Sequence, residues 1–141
     1  MNETKFLTLD HTERICFEYA KSELAHDEPI PPFGSRFPNK LESALASPQR
    51  VFGGKFLYPT LERQAAVLFY ELAKLHPFQN GNKRIATVAL LVFISLNNSW
   101  LKTSWRELYD IAVLVAASDS QNRDGMISLL DEFIKNKLVK E

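Results

Sequence analysis

The sequence predicts an all-α domain, and three observations carry that prediction. A strongly periodic apolar pattern follows Thr60. An uncharged apolar run from Ile85 to Leu96 is too short to span a bilayer, is followed by Asn97 and Asn98, and suits a buried helix. Only one short stretch, Val51 to Tyr58, has the β-branched, aromatic and glycine-rich make-up of strands. About six helices and one small hairpin are expected, in a single domain spanning residues 1–141.

Taken in order, Asp10 is placed to cap a helix that runs to about His26, with Ile15, Tyr19 and Ala20 on its inward face. Pro29, Pro31, Pro32 and Pro38 fall close together and mark a loop, read as a surface connection inside the domain. Asn39 to Ala46 reads as a short helix closed by Pro48. The stretch Val51 to Tyr58 (VFGGKFLY) reads as a two-stranded flap with Gly53 and Gly54 at its turn. Thr60 caps the next helix, which runs to about Leu75 before Pro77 stops it. A helix starting near Asn82 carries apolar residues on every side (IATVALLVFI), as a central pillar surrounded by neighbours would. Ser104 and Glu107 form a capping-box pattern that opens a helix to about Ala117. A polar turn at Asp124 and Gly125 then precedes a last helix ending near Lys137.

Composition narrows the function. A chain of 141 residues and 16.1 kDa, 45% hydrophobic and 24% charged, can bury a core and is not a disordered polymer. Lys plus Arg and Asp plus Glu are both 17, so no global field draws the molecule to nucleic acid or to anionic lipid. Phosphate chemistry, if present, must be local. The single cysteine, Cys16, cannot form an internal disulfide and no basic, apolar leader opens the chain, so a cytoplasmic protein without a membrane partner is expected.

The segment His76-Pro77-Phe78-Gln79-Asn80-Gly81-Asn82-Lys83-Arg84 is unlike a passive connector. A short loop entering a buried helix presents free amides and the positive end of the helix dipole, which favour an anion. Gly81 lets backbone approach that anion, and Asn82, Lys83 and Arg84 add donors and charge. His76 closes the preceding helix across the loop, where a neutral imidazole could accept a proton from an attacking hydroxyl. Its helix C-terminus favours the cation, whereas Lys83, Arg84 and desolvation favour the neutral base, and the sequence leaves that balance open. Taken singly, such residues are most often caps, solvated cations or, for Phe78, core. Gathered in nine positions ahead of an apolar helix, they point to a site.

HPFQNGNKR resembles the signature of the Fic/Doc superfamily, nearest to its Doc (death-on-curing) toxin branch. Fic adenylyltransferases read HPFx(D/E)GNGRxxR, and Doc-like toxins carry Lys before the Arg, as Lys83 does here. NKLESALASPQ and LYPTLERQAAVLFYELAKLHPF resemble the family's flanking segments, so the similarity covers roughly residues 36 to 134. The resemblance implies a Fic/Doc-type helical bundle with His76 as general base. Gly81, Asn82, Lys83 and Arg84 would hold nucleotide phosphates, Lys83 and Arg84 assisting the transfer, and Asn80 stands where the family has a Mg²⁺-binding acid. An amide there binds the metal more weakly than a carboxylate. Thr87 replaces a second Arg and Lys83 replaces a Gly, which together point away from AMP transfer.

For Doc the implied reaction is phosphoryl transfer from ATP or another nucleoside triphosphate, with Mg²⁺, to a Ser or Thr hydroxyl of a translation factor, elongation factor Tu by resemblance. The flap residues Phe52, Gly53, Gly54, Lys55, Phe56, Leu57 and Tyr58 would lie beside the cleft and grip the target by strand addition. Thr103 with Glu107 and Ser128 with Glu132 lack the Gly or Asn that completes the family's inhibitory motif, so no built-in inhibitor is expected. Neutralisation would come from a Phd-like antitoxin whose disordered tail folds as a helix into a groove on the bundle. Fic-type adenylylation and a non-catalytic, partner-binding member of the fold are the competing readings.

Overall fold

The computed structural model describes residues 3–23 and 29–141. Its first element is a continuous helical rod: α1 (Leu9–His11), a π-helical segment (Thr12–Phe17) and α2 (Glu18–Glu23). Thr8 caps it in place of Asp10. The Thr8 hydroxyl accepts the His11 amide at 3.1 Å and the His11 ring accepts the Thr8 amide at 3.1 Å. Asp10 sits in the first turn and pairs with Arg14 at 2.8 Å.

Of the expected inward face only Ala20 is buried, while Ile15 and Tyr19 are 45% and 51% exposed. The π segment explains the difference. Its wider i→i+5 turn departs from the 3.6 period on which the face was assigned, and Cys16 and Phe17 turn inward instead. Burial pushes the Cys16 thiol up to about 12, so it is an inert packing group. The expected end near His26 lies outside the described residues.

Helix α3 (Pro38–Ala46) opens on a proline at its first position, where no amide is required, and passes into a 3₁₀ turn, Ser47–Gln49. The flap forms as β1 (Val51–Phe52) and β2 (Lys55–Phe56), antiparallel, with Val51 opposite Phe56. Gly53 and Gly54 have φ of 60° and 80°, the left-handed pair that a two-residue type I′ hairpin demands.

Helix α4 (Leu61–Leu75) begins as expected at Thr60, whose hydroxyl accepts the Arg63 amide at 3.1 Å. Helix α5 (Asn82–Leu96) packs against α4, α6 (Trp105–Ala117) and the first rod. The buried side chains Phe69, Leu72, Leu90, Phe93 and Ile94 hold these helices together. Each fully buried side chain contributes roughly 1.5–3 kcal/mol relative to exposure.

Ser104 caps α6 by accepting the Glu107 amide at 3.1 Å. The Glu107 carboxylate completes no capping box: it takes the Thr103 hydroxyl. The last helix, α7 (Arg123–Lys137), starts earlier than expected, with Asp124 and Gly125 in its first turn. The polar turn is Ser120–Asn122, capped by Asp119. Gly125 leaves room for the Asn122 side chain, since a β-carbon there would lie 2.6 Å from Asn122 Oδ1.

The flap is also not the only strand segment. β3 (Ser99–Leu101) pairs antiparallel with β4 (Leu138–Lys140), Trp100 opposite Val139. Each has three residues and no turn joins them in sequence, so neither the alternation nor the turn signal that identifies strands was available.

Candidate active site

Helix α4 ends at His76, which adopts the left-handed conformation (φ 52°, ψ 61°) rare for a non-glycine residue and stops the helix there. Pro77 follows, and Phe78 anchors the loop. Its ring is 3% exposed and lies 5.8 Å from both Phe17 and Phe33, which meet each other edge-on at 5.3 Å. Gly81, at φ 82°, is the N-cap of α5. The Ile85 amide bonds the Gly81 carbonyl at 2.9 Å, so the amides of Asn82, Lys83 and Arg84 have no acceptor within the helix.

His76, Gln79, Asn80, Gly81, Asn82, Lys83, Arg84 and Tyr109 line a cleft of about 170 Å³ with almost wholly polar walls. The structure thus gathers the nine-residue cluster, apart from Pro77 and Phe78, around one cavity at the positive end of α5. Arg84 is not a solvated cation: it is 5% exposed. The balance at His76 tilts toward the neutral imidazole. Partial desolvation lowers its pKa from 6.5, and the positive charges of Lys83, Lys40 and Lys74 add to that effect. His76 is exposed, so the residue is not diverted into the core.

Other assignments change. The Asn82 side chain staples the loop: Nδ2 donates to the Phe78 carbonyl and Oδ1 accepts the Phe78 amide, both at 2.8 Å. It is therefore committed to the protein. Asn80 Nδ2 donates to the Pro29 carbonyl at 3.4 Å. Thr87 is fully buried, with its hydroxyl on the Lys83 carbonyl at 2.8 Å, and adds nothing to the cleft.

The structure does not bring the flap to this cleft. Phe56 lies 5.6 Å from Phe6, whose ring stacks 6.2 Å from Phe93. Phe93 is about 16 Å along α5 from Asn82 at 1.5 Å per residue. Helix α4 separates flap from motif in sequence, and its length carries the hairpin toward the opposite end of the bundle. Flap residues 51–57 are exposed, and Tyr58 is half-buried.

Two contributors were missed. Tyr109 reaches the cleft from α6, one turn after Trp105, whose ring it meets edge-on at 6.2 Å. The proline-rich segment is a strap over the loop rather than a plain connection, and the signal for it was Ile30 and Phe33, apolar residues set among prolines. Beside α5 lies a second cavity of about 220 Å³, almost wholly apolar, lined by Ile15, Tyr19, Thr87, Val88, Leu91, Val92, Ser95 and Trp105. The pillar is consequently bare on one flank, where Leu91 and Val92 are half-buried.

Residues 7–94, which include the flap and the whole motif loop, match the Fic/DOC family. The chain belongs to that family. A curated relative, the toxin Doc of Mycolicibacterium smegmatis (strain ATCC 700084 / mc(2)155), is 40% identical over 57 residues, covering 40% of this chain and 44% of that protein. The chain thus spans less than half the length of that relative. No solved structure matches it. The helical bundle with its two-stranded hairpin agrees with the Fic/DOC assignment.

Among the described residues the cleft offers little to the Mg²⁺ that the family implies. Among the described residues the cleft is lined by two cations, two aromatic rings, amides and a glycine, with no carboxylate. No cluster of three His, Cys, Asp or Glu side chains suited to a metal occurs among them. Hard cations of this kind prefer anionic oxygen ligands.

Proposed function

We propose that this Fic/DOC protein is a Doc-like toxin that transfers the γ-phosphoryl group of a nucleoside triphosphate to a Ser or Thr hydroxyl of a translation factor. The observation that carries the reading is the cleft at the start of α5, where His76 shares one small polar cavity with Lys83, Arg84 and first-turn amides. At about 170 Å³ it falls below the roughly 300–1,000 Å³ of pockets that enclose a whole small molecule. It suits the phosphate end of a nucleotide, with the nucleoside lying outside.

In this reaction neutral His76 accepts the proton as the target hydroxyl oxygen bonds to the γ-phosphorus. The bond from that phosphorus to the bridging oxygen breaks, and the nucleoside diphosphate leaves. Lys83, Arg84 and the helix amides offset the charge on the phosphoryl oxygens, in keeping with phosphoryl transfer that relies on positioning and electrostatics. No protein carboxylate for Mg²⁺ takes part in this account. The likeness to a protein named toxin Doc supports a partner antitoxin, and elongation factor Tu is the target that the resemblance of the motif implies. The apolar cavity beside α5 would seat an amphipathic antitoxin helix. The balanced charge and the absence, among described residues, of a helix long and apolar enough to cross a membrane are compatible with cytoplasmic action.

Two observations favour competing readings. The HPFxxGN core is shared with adenylyltransferases, and the Asn80 contact to Pro29 favours a non-catalytic, partner-binding protein. One assay separates the three. The protein is incubated with Mg²⁺, elongation factor Tu and ATP labelled at the γ or the α position. Label from γ supports phosphoryl transfer, label from α adenylyl transfer, and neither the non-catalytic reading. Expression of the chain alone should arrest growth, and His76→Ala should relieve the arrest. Equal toxicity of both would count against catalysis.

A further inference from the structure

We infer that the strap of residues 29–37 is a positioning element for the phosphate cleft, with Ile30 as the residue that holds Gly81 in its left-handed turn. The strap touches the motif loop at successive points. The Phe37 amide donates to the Pro77 carbonyl at 2.8 Å, and Phe33 packs on Phe78. Gln79 Nε2 donates to the Ser35 carbonyl at 3.2 Å, and Asn80 Nδ2 to the Pro29 carbonyl at 3.4 Å.

Ile30 completes the set. It is 5% exposed, and a β-carbon on Gly81 would lie 2.7 Å from its Cγ1 and 2.9 Å from its Cδ1. Such contact leaves room at position 81 for hydrogen only. Gly81 therefore serves two needs at once, a φ of 82° and the close seating of Ile30. The turn at Gly81 sets the direction in which the first amides of α5 point, and those amides are the anion donors. A proline-rich segment suits the task, because prolines lower the entropy lost when a loop is ordered. Ile30 touches no reacting group. It acts through Gly81.

The inference rests on reading the cleft as the phosphate site, and the test keeps the two claims apart. Full-length wild type, Ile30→Ala and the conservative Ile30→Val are compared in two measurements. The first is hydrogen exchange at the Phe78 amide, whose acceptor Asn82 Oδ1 closes the loop at 2.8 Å, measured relative to core amides of α4 and α5. The second is the dissociation constant for pyrophosphate.

Ile30→Ala should speed exchange at Phe78 about tenfold more than at the core amides and weaken pyrophosphate about tenfold, with Ile30→Val within about twofold of wild type. Gly81→Ala should also open the loop, and part of its effect should disappear when Ile30→Ala removes the clashing atoms, a coupling that ordinary packing far from Gly81 would not produce. Phe78 exchange that changes only in step with the core, with unchanged pyrophosphate affinity and no coupling, would overturn the inference. Failure of wild type to bind pyrophosphate would overturn the phosphate reading instead, and exchange at Phe78 with the double mutant would still decide the strap. Should Ile30→Ala not fold, Gly81→Ala is measured alone and combined with Ile30→Val, which removes Cδ1: Phe78 exchange partly restored in the pair supports the strap, and equal exchange in the two overturns it.

Discussion

Helix α5 presents two cavities of similar size and opposite character. At its first turn the walls are polar and cationic; on its flank, from Thr87 to Ser95, they are almost wholly apolar. The difference follows from helix geometry. Only the first turn presents amides that the helix itself does not use and the positive dipole end, so only there can backbone favour an anion. The flank has its amides satisfied and offers side chains alone, which suits an apolar partner. The proposed function assigns chemistry to the end of the helix and docking to its side, and substitutions in the two places should have separable effects.

The largest effect is expected at the end. His76→Ala should lower phosphoryl transfer by about 10²–10⁴-fold while leaving nucleotide affinity within a few-fold, because it removes a base and not a phosphate contact. Single-turnover rates and nucleotide titrations check this together. Arg84→Ala should weaken nucleotide binding by about 10–100-fold, the scale of a lost charge-assisted hydrogen bond of roughly 1.5–3 kcal/mol, and leave antitoxin binding unchanged. Tyr19→Asp, on the exposed side of the first rod, should do the reverse: antitoxin affinity falls about tenfold or more and transfer by the free toxin persists. Calorimetry with the antitoxin tail, alongside the label assay, would break the comparison if Tyr19→Asp silenced transfer.

A smaller effect concerns pH. His76 must be neutral to accept a proton, so the rate falls as pH drops through its pKa. That pKa lies below 6.5, so the rate should be flat above pH 7 and decline only on the acid side of 6.5. Lys83→Gln removes one of the opposing charges and should move the decline toward higher pH. A decline centred well above pH 7 in the wild type would mean that the base is another group.

Much of this arrangement was legible in the residues. Thr60, Pro77, Ser104 and the glycine pair of the flap carry local rules that the fold obeys, because caps and tight turns are decided within a few positions. The nine-residue motif announced its cleft for the same reason. What could not be read depended on distant partners. Ile15 and Tyr19 have helical spacing for an inward face, but a π turn redirects them toward the groove. The pairing of Ser99–Leu101 with Leu138–Lys140 leaves no local trace. Asn82 reads as a phosphate ligand until Phe78 is seen to occupy both ends of its amide. The flap forms the expected hairpin, but none of its residues lines the cleft, because turn chemistry fixes a hairpin's form and not its place.

The most direct test is a nuclear magnetic resonance titration of the full chain with a non-hydrolysable ATP analogue. The account predicts shifts concentrated at the amides of Gly81, Asn82, Lys83 and Arg84 and at Tyr109, with the groove residues Leu91 and Val92 undisturbed. Saturable binding that moves the groove and leaves the first turn of α5 unchanged, or no binding at millimolar analogue, would contradict it.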